Sequence, residues 1–160
     1  MPTQQGDLAL LNEPIAQELL KSTIPARLAY SGRDGTPRVL PIWFHWTGDV
    51  FVLGTRMDAP KVKALSAHPK VALTIDSESF PYKALQVRGT VEIEQIDGIV
   101  PEYEMCAKRY LGDQKGQAWV DQLRGAFPPM ARIVVSPTWV GLLDLAQLYP
   151  QVVETVMMAE

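Results

Sequence analysis

The stretch RVLPIWFHW, Arg38 to Trp46, followed by VFVLGTRMDAPKVKALSAHPKVALTID, Val50 to Asp76, decides the fold. In the first segment successive side chains of an extended strand point to opposite faces. Val39, Pro41, Trp43 and His45 then share one face, and Arg38, Leu40, Ile42, Phe44 and Trp46 share the other. Both faces are largely apolar, so a second surface must cover the side that does not meet the core: more of the same sheet, a partner subunit or a flat ligand. Pro41 has no N–H to donate, which places the middle of this strand at an edge or beside a gap. In the second segment a strand from Val50 to Thr55 gives way to a helix that starts at Asp58-Ala59-Pro60, with Asp58 offering a cap and Pro60 the first turn. Val62, Leu65 and Ser66 share one face of that helix, and His68-Pro69 ends it, because a residue before proline is disfavoured in the helical region. A strand with Val71, Leu73 and Ile75 on one face follows.

Working outward, Leu28 to Ser31 and the strand from Arg38 form a hairpin about Arg33-Asp34-Gly35, where Asp-Gly supplies the positive φ of a tight turn. Thr47-Gly48-Asp49 makes the next turn. Leu85, Val87, Gly89, Val91 and Ile93 alternate with Gln86, Arg88, Thr90, Glu92 and Glu94 and read as a long strand. Ile99, Tyr103, Cys106 and Tyr110 recur at helical spacing until Gly112, which buries Cys106 and leaves it inert. A short helix spans Ala118 to Leu123 and is broken at Pro128-Pro129. A last strand runs Ala131 to Ser136 and, after an interruption at Pro137, Thr138 to Leu142. At the N-terminus, Asn12-Glu13-Pro14 reads as a capped start for a helix carrying Ile15, Leu19 and Leu20, ended by Pro25. Strand follows strand through short turns, so the fold is mainly β (α+β): a six-stranded antiparallel barrel with peripheral helices.

Composition narrows the class. The chain has 160 residues, 47% of them apolar, enough for one domain over 1–160 with a real core. A net charge of -3 speaks against nucleic acid or an anionic membrane as partner. With Cys106 the only cysteine and His45 and His68 the only histidines, neither a disulfide nor a closed metal site is expected. No apolar run is long enough for a membrane span and no export signal is visible, so a cytoplasmic location is expected. Thr55, Arg56 and the cations Lys61 and Lys63 lie where a strand end meets a helix N-terminus, the kind of place that receives a phosphate monoester. Lys61 and Lys63 are roughly 200° apart around a helix, so only one can face an anion, and Lys61 is nearer the N-terminus.

The order of hairpin, strand ending in Thr55-Arg56, Lys61 on a helix and His68-Pro69-Lys70-Val71 entering a strand resembles the pyridoxamine 5'-phosphate oxidase-like family of FMN-binding split β-barrels. Val87 to Val91 (VRGTV), Ala107 to Gly112 (AKRYLG) and Ile133 to Asp144 (IVVSPTWVGLLD) resemble that family's later strand, helix end and last strand. The resemblance implies a flavin/deazaflavin oxidoreductase that is a homodimer, with FMN at the subunit interface. It implies that Arg38, Val39, Leu40 and Pro41 line the flavin ring, with Ile42 and Trp43 near it or across the interface. Thr55, Arg56 and Lys61 would hold the phosphate, and Gln86 or Arg88 would reach in from the second subunit. The oxidase's C-terminal arginine–histidine substrate signature has no counterpart, because neither residue type follows Trp139. The resemblance therefore leaves the small-molecule substrate and any catalytic side chain unassigned.

Other readings of the same residues remain. The deazaflavin coenzyme makes similar demands on a ring and phosphate site. His45 could ligate haem, as in some relatives of this barrel, though a histidine in an apolar strand is commonly structural. Trp43, Phe44 and Trp46 could serve a non-enzymatic binding module as stacking platforms, but only Arg38 lies beside them as a basic partner. Lys83, Arg88, Lys108 and Arg109 otherwise read as surface charges.

Overall fold

The computed structural model describes residues 4–126 and 129–159. After a 3-10 turn at Leu8–Asn12 come α1 (Pro14–Leu20), β1 (Ala26–Ser31), β2 (Pro37–Ile42), β3 (His45–Trp46), β4 (Phe51–Arg56) and α2 (Pro60–Ala67). Then follow β5 (Lys70–Asp76), β6 (Lys83–Ile96), α3 (Pro101–Leu111), α4 (Asp113–Arg124), β7 (Met130–Asp144), α5 (Leu145–Leu148) and α6 (Pro150–Met157). The strands form one antiparallel sheet in the order β2-β1-β5-β6-β7-β4-β3. Its two end strands do not pair with each other, so the sheet is open. Leu40 and Ile42 of β2 and Trp46 of β3 nevertheless pack on the same buried core.

The ladders fix which side chains share a face. Leu40, Leu28, Leu73, Val87 and Val140 stand opposite one another across five strands and form an inner row. Four of them are buried, and Leu40 is half-buried. One residue further along, Val39, Ala29, Ala72, Arg88 and Trp139 form an outer row, and Pro41, Arg27, Thr74, Gln86 and Gly141 form a second. Helix α1 closes the core with Ala16, Leu19 and Leu20, and α2 adds Val62 and Leu65. A smaller cluster of Val52, Val100 and Met130 is joined by Tyr103 of α3.

Two sequence expectations need correction here. The sheet has seven strands where six were expected, because the expected strand from Arg38 to Trp46 breaks at Trp43-Phe44. There the Phe44 carbonyl accepts a hydrogen bond from Arg109 Nη2 at 2.5 Å, and the Phe44 ring is fully buried. The chain then resumes as β3. At Pro137 the last strand is not interrupted. Arg88 faces Trp139 while Gly89 faces Pro137, so Thr138 is an extra residue, a β-bulge whose hydroxyl donates to the Arg88 carbonyl at 3.2 Å. The bulge absorbs the missing proline N–H and inverts the alternation, turning Trp139 outward and Val140 inward.

Helix α4 is twice the expected length, and its Gly116 explains the difference. A Cβ at Gly116 would lie 2.6 Å from the backbone of Lys108, so only glycine lets α4 cross α3 this closely. The start of α2 also differs from expectation: its N-cap position is Ala59 with no side-chain cap, because Asp58 is engaged by Arg56. The expected break at Pro128-Pro129 falls partly on residues outside the described ones.

Candidate functional site

Where the sheet stays open, two strand edges lie side by side without a ladder. β2 pairs only with β1, and β3 covers only Phe51 and Val52 of β4. The edge of β4 from Leu53 to Arg56 that faces away from β7 therefore meets no strand, and neither does the outer edge of β2. Between them lies a crevice of about 420 Å³, lined by Pro25, Pro41, Ile42, Trp43, Gly54, Tyr103 and Trp119. An open strand edge offers N–H and C=O groups that a planar heterocycle with amide-like rim atoms can use. The proline at position 41 fits this edge, since it needs no partner for an N–H.

Its aromatic wall is held from behind. Trp43 stacks on Tyr110 with centroids 5.2 Å apart and planes at 6°. The Tyr110 hydroxyl donates to the Ile24 carbonyl at 3.1 Å and accepts from Arg109 Nη2 at 3.1 Å. Arg109 also donates to the Ser22 carbonyl at 3.2 Å and lies over the rings of Phe44 and Tyr110. The expectation that Arg109 is a surface charge is thus overturned: it is partly buried and ties α3 to the segments before β1 and β3.

One residue past Gly54 the chemistry changes from aromatic to cationic. Thr55 is half-buried at the end of β4, and Arg56 is exposed and grips Asp58 through Nε–Oδ1 at 2.9 Å and Nη2–Oδ2 at 2.8 Å. Lys61, the second residue of α2, is half-buried whereas Lys63 is exposed. Burial lowers the Lys61 pKa. Among the described residues no acidic side chain is paired with it, and a half-buried ammonium gains from an incoming anion such as a phosphate.

The remaining predicted residues divide. Arg38 turns to the hairpin tip, where it meets Asp34 at 3.1 Å and donates to the Thr36 hydroxyl. Hydrogen bonds from Thr36 and then Arg38 hold Asp34 down to a pKa of about 2. Leu40 packs inward on the core, so it offers a ring only its backbone. Val39 is 69% exposed on the outer face. There it joins Gln86, Arg88, Arg27 and Trp139 around a second hollow of about 350 Å³, with Arg88 4.1 Å above the Trp139 ring. Gln86 and Arg88 lie on this outer face and line neither the crevice nor the cationic end. Phe44 is buried and Trp46 packs on Phe51 at 4.7 Å, so neither is an exposed stacking platform.

The sequence profile of the pyridoxamine 5'-phosphate oxidase family matches residues 13–144. The chain belongs to this family. Among solved structures, an F420 reductase shares 28% identity with it over 78% of this chain and 94% of that one, with a TM-score of 0.61. A conserved hypothetical protein from Mycobacterium tuberculosis superposes with a TM-score of 0.68 at 19% identity, covering 91% of this chain and 92% of that one. The haem storage protein HutZ from Vibrio cholerae gives 0.59 at 16% identity over 82% and 93%. No curated protein matches the chain. The likenesses below 25% identity speak for the fold of this pyridoxamine 5'-phosphate oxidase family member alone.

In this family member two side chains of the crevice had escaped a reading by sequence. Tyr103 looks like one more apolar position of α3, and Trp119 sits in a polar segment with no readable period. A helical wheel of α4 extended back to Asp113 would have shown Trp119 and Val120 flanking the face that carries Gly116. Cys106 is 2% exposed with its thiol pushed up to about 11 by burial, so it is no nucleophile at neutral pH. Among the described residues no group of three or more His, Cys, Asp and Glu is placed to hold a metal, and no helix is long and apolar enough to cross a membrane.

Proposed function

We propose that residues 1–160 act as one FMN-binding oxidoreductase unit that works as a homodimer. The observation that carries the reading is an open-edged aromatic crevice at Gly54, followed along the chain by Thr55, Arg56 and the half-buried ammonium of Lys61 at the start of α2. A flat ring with a phosphate tail has just these two needs. The backbone of Arg38 to Pro41 and the edge of Gly54 to Arg56 hold the ring rim, Ile42 and Trp43 flank it, and Thr55, Arg56 and Lys61 take the phosphate. Arg56 can serve while paired to Asp58, since a guanidinium has five donors. When bound, FMN supplies hydride or electron transfer, and the chain's part is to bind, orient and exclude water. Gln86 and Arg88 reach the site from the second subunit.

The deazaflavin coenzyme is the second reading, favoured by the 28% identity to an F420 reductase. The experiment is a fluorescence titration with FMN of the wild type and of Lys61→Met, with deazaflavin coenzyme as competitor. We expect micromolar or tighter FMN binding that Lys61→Met weakens at least about tenfold, the scale of one charge-assisted phosphate contact. Protein that ignores FMN but binds the deazaflavin would establish the second reading, and protein that takes neither would end both.

A further inference from the structure

We propose that Trp43, Tyr103 and Trp119 form the substrate-selecting wall of the site, and that the substrate is a flat, uncharged conjugated molecule carrying a hydrogen-bond acceptor. The inference names the substrate class of the flavin site and rests on that reading for its chemistry. The residues lining the crevice include no charged side chain. An ionic ligand entering it would lose water without gaining a counter-charge, a cost that neutral rings escape. The three aromatic rings are fixed relative to one another. Trp43 and Trp119 meet edge to face at 6.3 Å and 63°, and Trp43 lies 5.6 Å from Tyr103. Gly54 sets the depth, since a Cβ there would stand 2.9 Å from Tyr103.

Among the lining side chains, polarity enters at one point. The Trp119 indole N–H donates to the Tyr103 hydroxyl at 3.0 Å. A phenol that accepts one bond still has its own hydrogen to give, and burial raises the Tyr103 pKa, keeping that hydrogen in place at neutral pH. Trp119 is 45% exposed and lines the crevice, so its ring is within reach of whatever enters. The wall thus offers stacking, which any flat ring satisfies, and one donor, which only a carbonyl, nitro or similar acceptor satisfies.

Three probes separate these contributions: naphthalene (flat, no acceptor), 2-quinolone (flat, neutral, with a carbonyl) and quinoline-2-carboxylate (flat, anionic). Each is titrated into the protein as purified, with and without added FMN, while the Trp119 indole N–H is followed by NMR. We expect 2-quinolone to shift that signal and to bind about threefold tighter than naphthalene, the worth of one neutral hydrogen bond. Tyr103→Phe should erase this advantage. Trp119→Ala should weaken 2-quinolone about tenfold, whereas Trp119→Phe, which keeps a ring, should largely restore it. Tighter binding of the carboxylate than of 2-quinolone, or affinity indifferent to Trp119→Ala, would overturn the proposal. Loss of FMN binding alone, with the 2-quinolone response intact, would overturn the flavin reading and leave the preference of the wall standing.

Discussion

His45 shows how one side chain's surroundings set a measurable pH dependence. It is half-buried in β3, where burial first and the positive charge of Arg109 second lower its pKa from 6.5, with Glu102 acting weakly the other way. The folded chain therefore binds this proton less readily than the unfolded chain. Stability attached to His45 is full above 6.5 and falls as the pH drops below it towards the folded value. We expect the urea midpoint of the wild type to decline between pH 7.5 and 5.5 and that decline to shrink in His45→Gln. A slope unchanged by the substitution would show that other groups dominate this window. At the same scale, the different surroundings of Lys61, half-buried, and Lys63, exposed, were legible in the sequence, because residues two apart on a helix point to different sides. The role of Arg109 was not, since a Lys-Arg pair at a helix end looks solvated until the carbonyls of Ser22 and Phe44 arrive beside it.

At the scale of elements, strands read more easily than the α3–α4 hairpin for a physical reason. A strand with one wet face writes its period of two into the sequence, as β5 and β6 do. Helix α4 buries little beyond Gly116 and Val120. Its boundary is set by a close approach of backbones, and a glycine read without its neighbour looks like a breaker. Likewise the break at Trp43-Phe44 is invisible in an apolar run, because it depends on a carbonyl turning towards an arginine more than sixty positions away. The contact between α3 and α4 gives a prediction of its own. In Gly116→Ala the new methyl meets Lys108 backbone at 2.6 Å, which no side-chain rotation can relieve, so the helices must separate. Overpacking of this kind costs about 1–3 kcal/mol, and the strain falls between the helices that carry Tyr103 and Trp119. Urea denaturation should register the loss, and the Trp119 indole signal should move even in native buffer. Wild-type stability in Gly116→Ala would mean the helices are not held at this distance in solution.

For the whole molecule the outer face of the sheet matters most. The inner rows account for one core, but the outer rows leave Val39, Ala29, Ala72 and the Arg88–Trp139 pair facing outward as a broad surface with small residues at Ala29 and Ala72. Sequence reading anticipated a second covered face from the strand Arg38 to Trp46, largely apolar on both sides. The ladders relocate most of it: Val39 and Pro41 belong to the outer face, whereas Trp43 turns under α3 against Tyr110. If two copies meet through this face, Gln86 and Arg88 of each would lie at the interface, where the proposed dimer needs them. Small side chains such as Ala29 and Ala72 then let the sheets approach, and a carboxylate among them would be buried without a reserved partner. Ala29 is exposed within its own chain, so Ala29→Glu should leave the fold and its far-UV circular dichroism unchanged. In sedimentation equilibrium the wild type should run at twice the chain mass of 17.8 kDa and Ala29→Glu at the chain mass itself. The same variant should bind FMN at least about tenfold more weakly, because the proposed contacts of Gln86 and Arg88 leave with the partner. A wild type that sediments as a single chain yet binds FMN tightly would refute this arrangement, and would require Gln86 and Arg88 to have no part in the site.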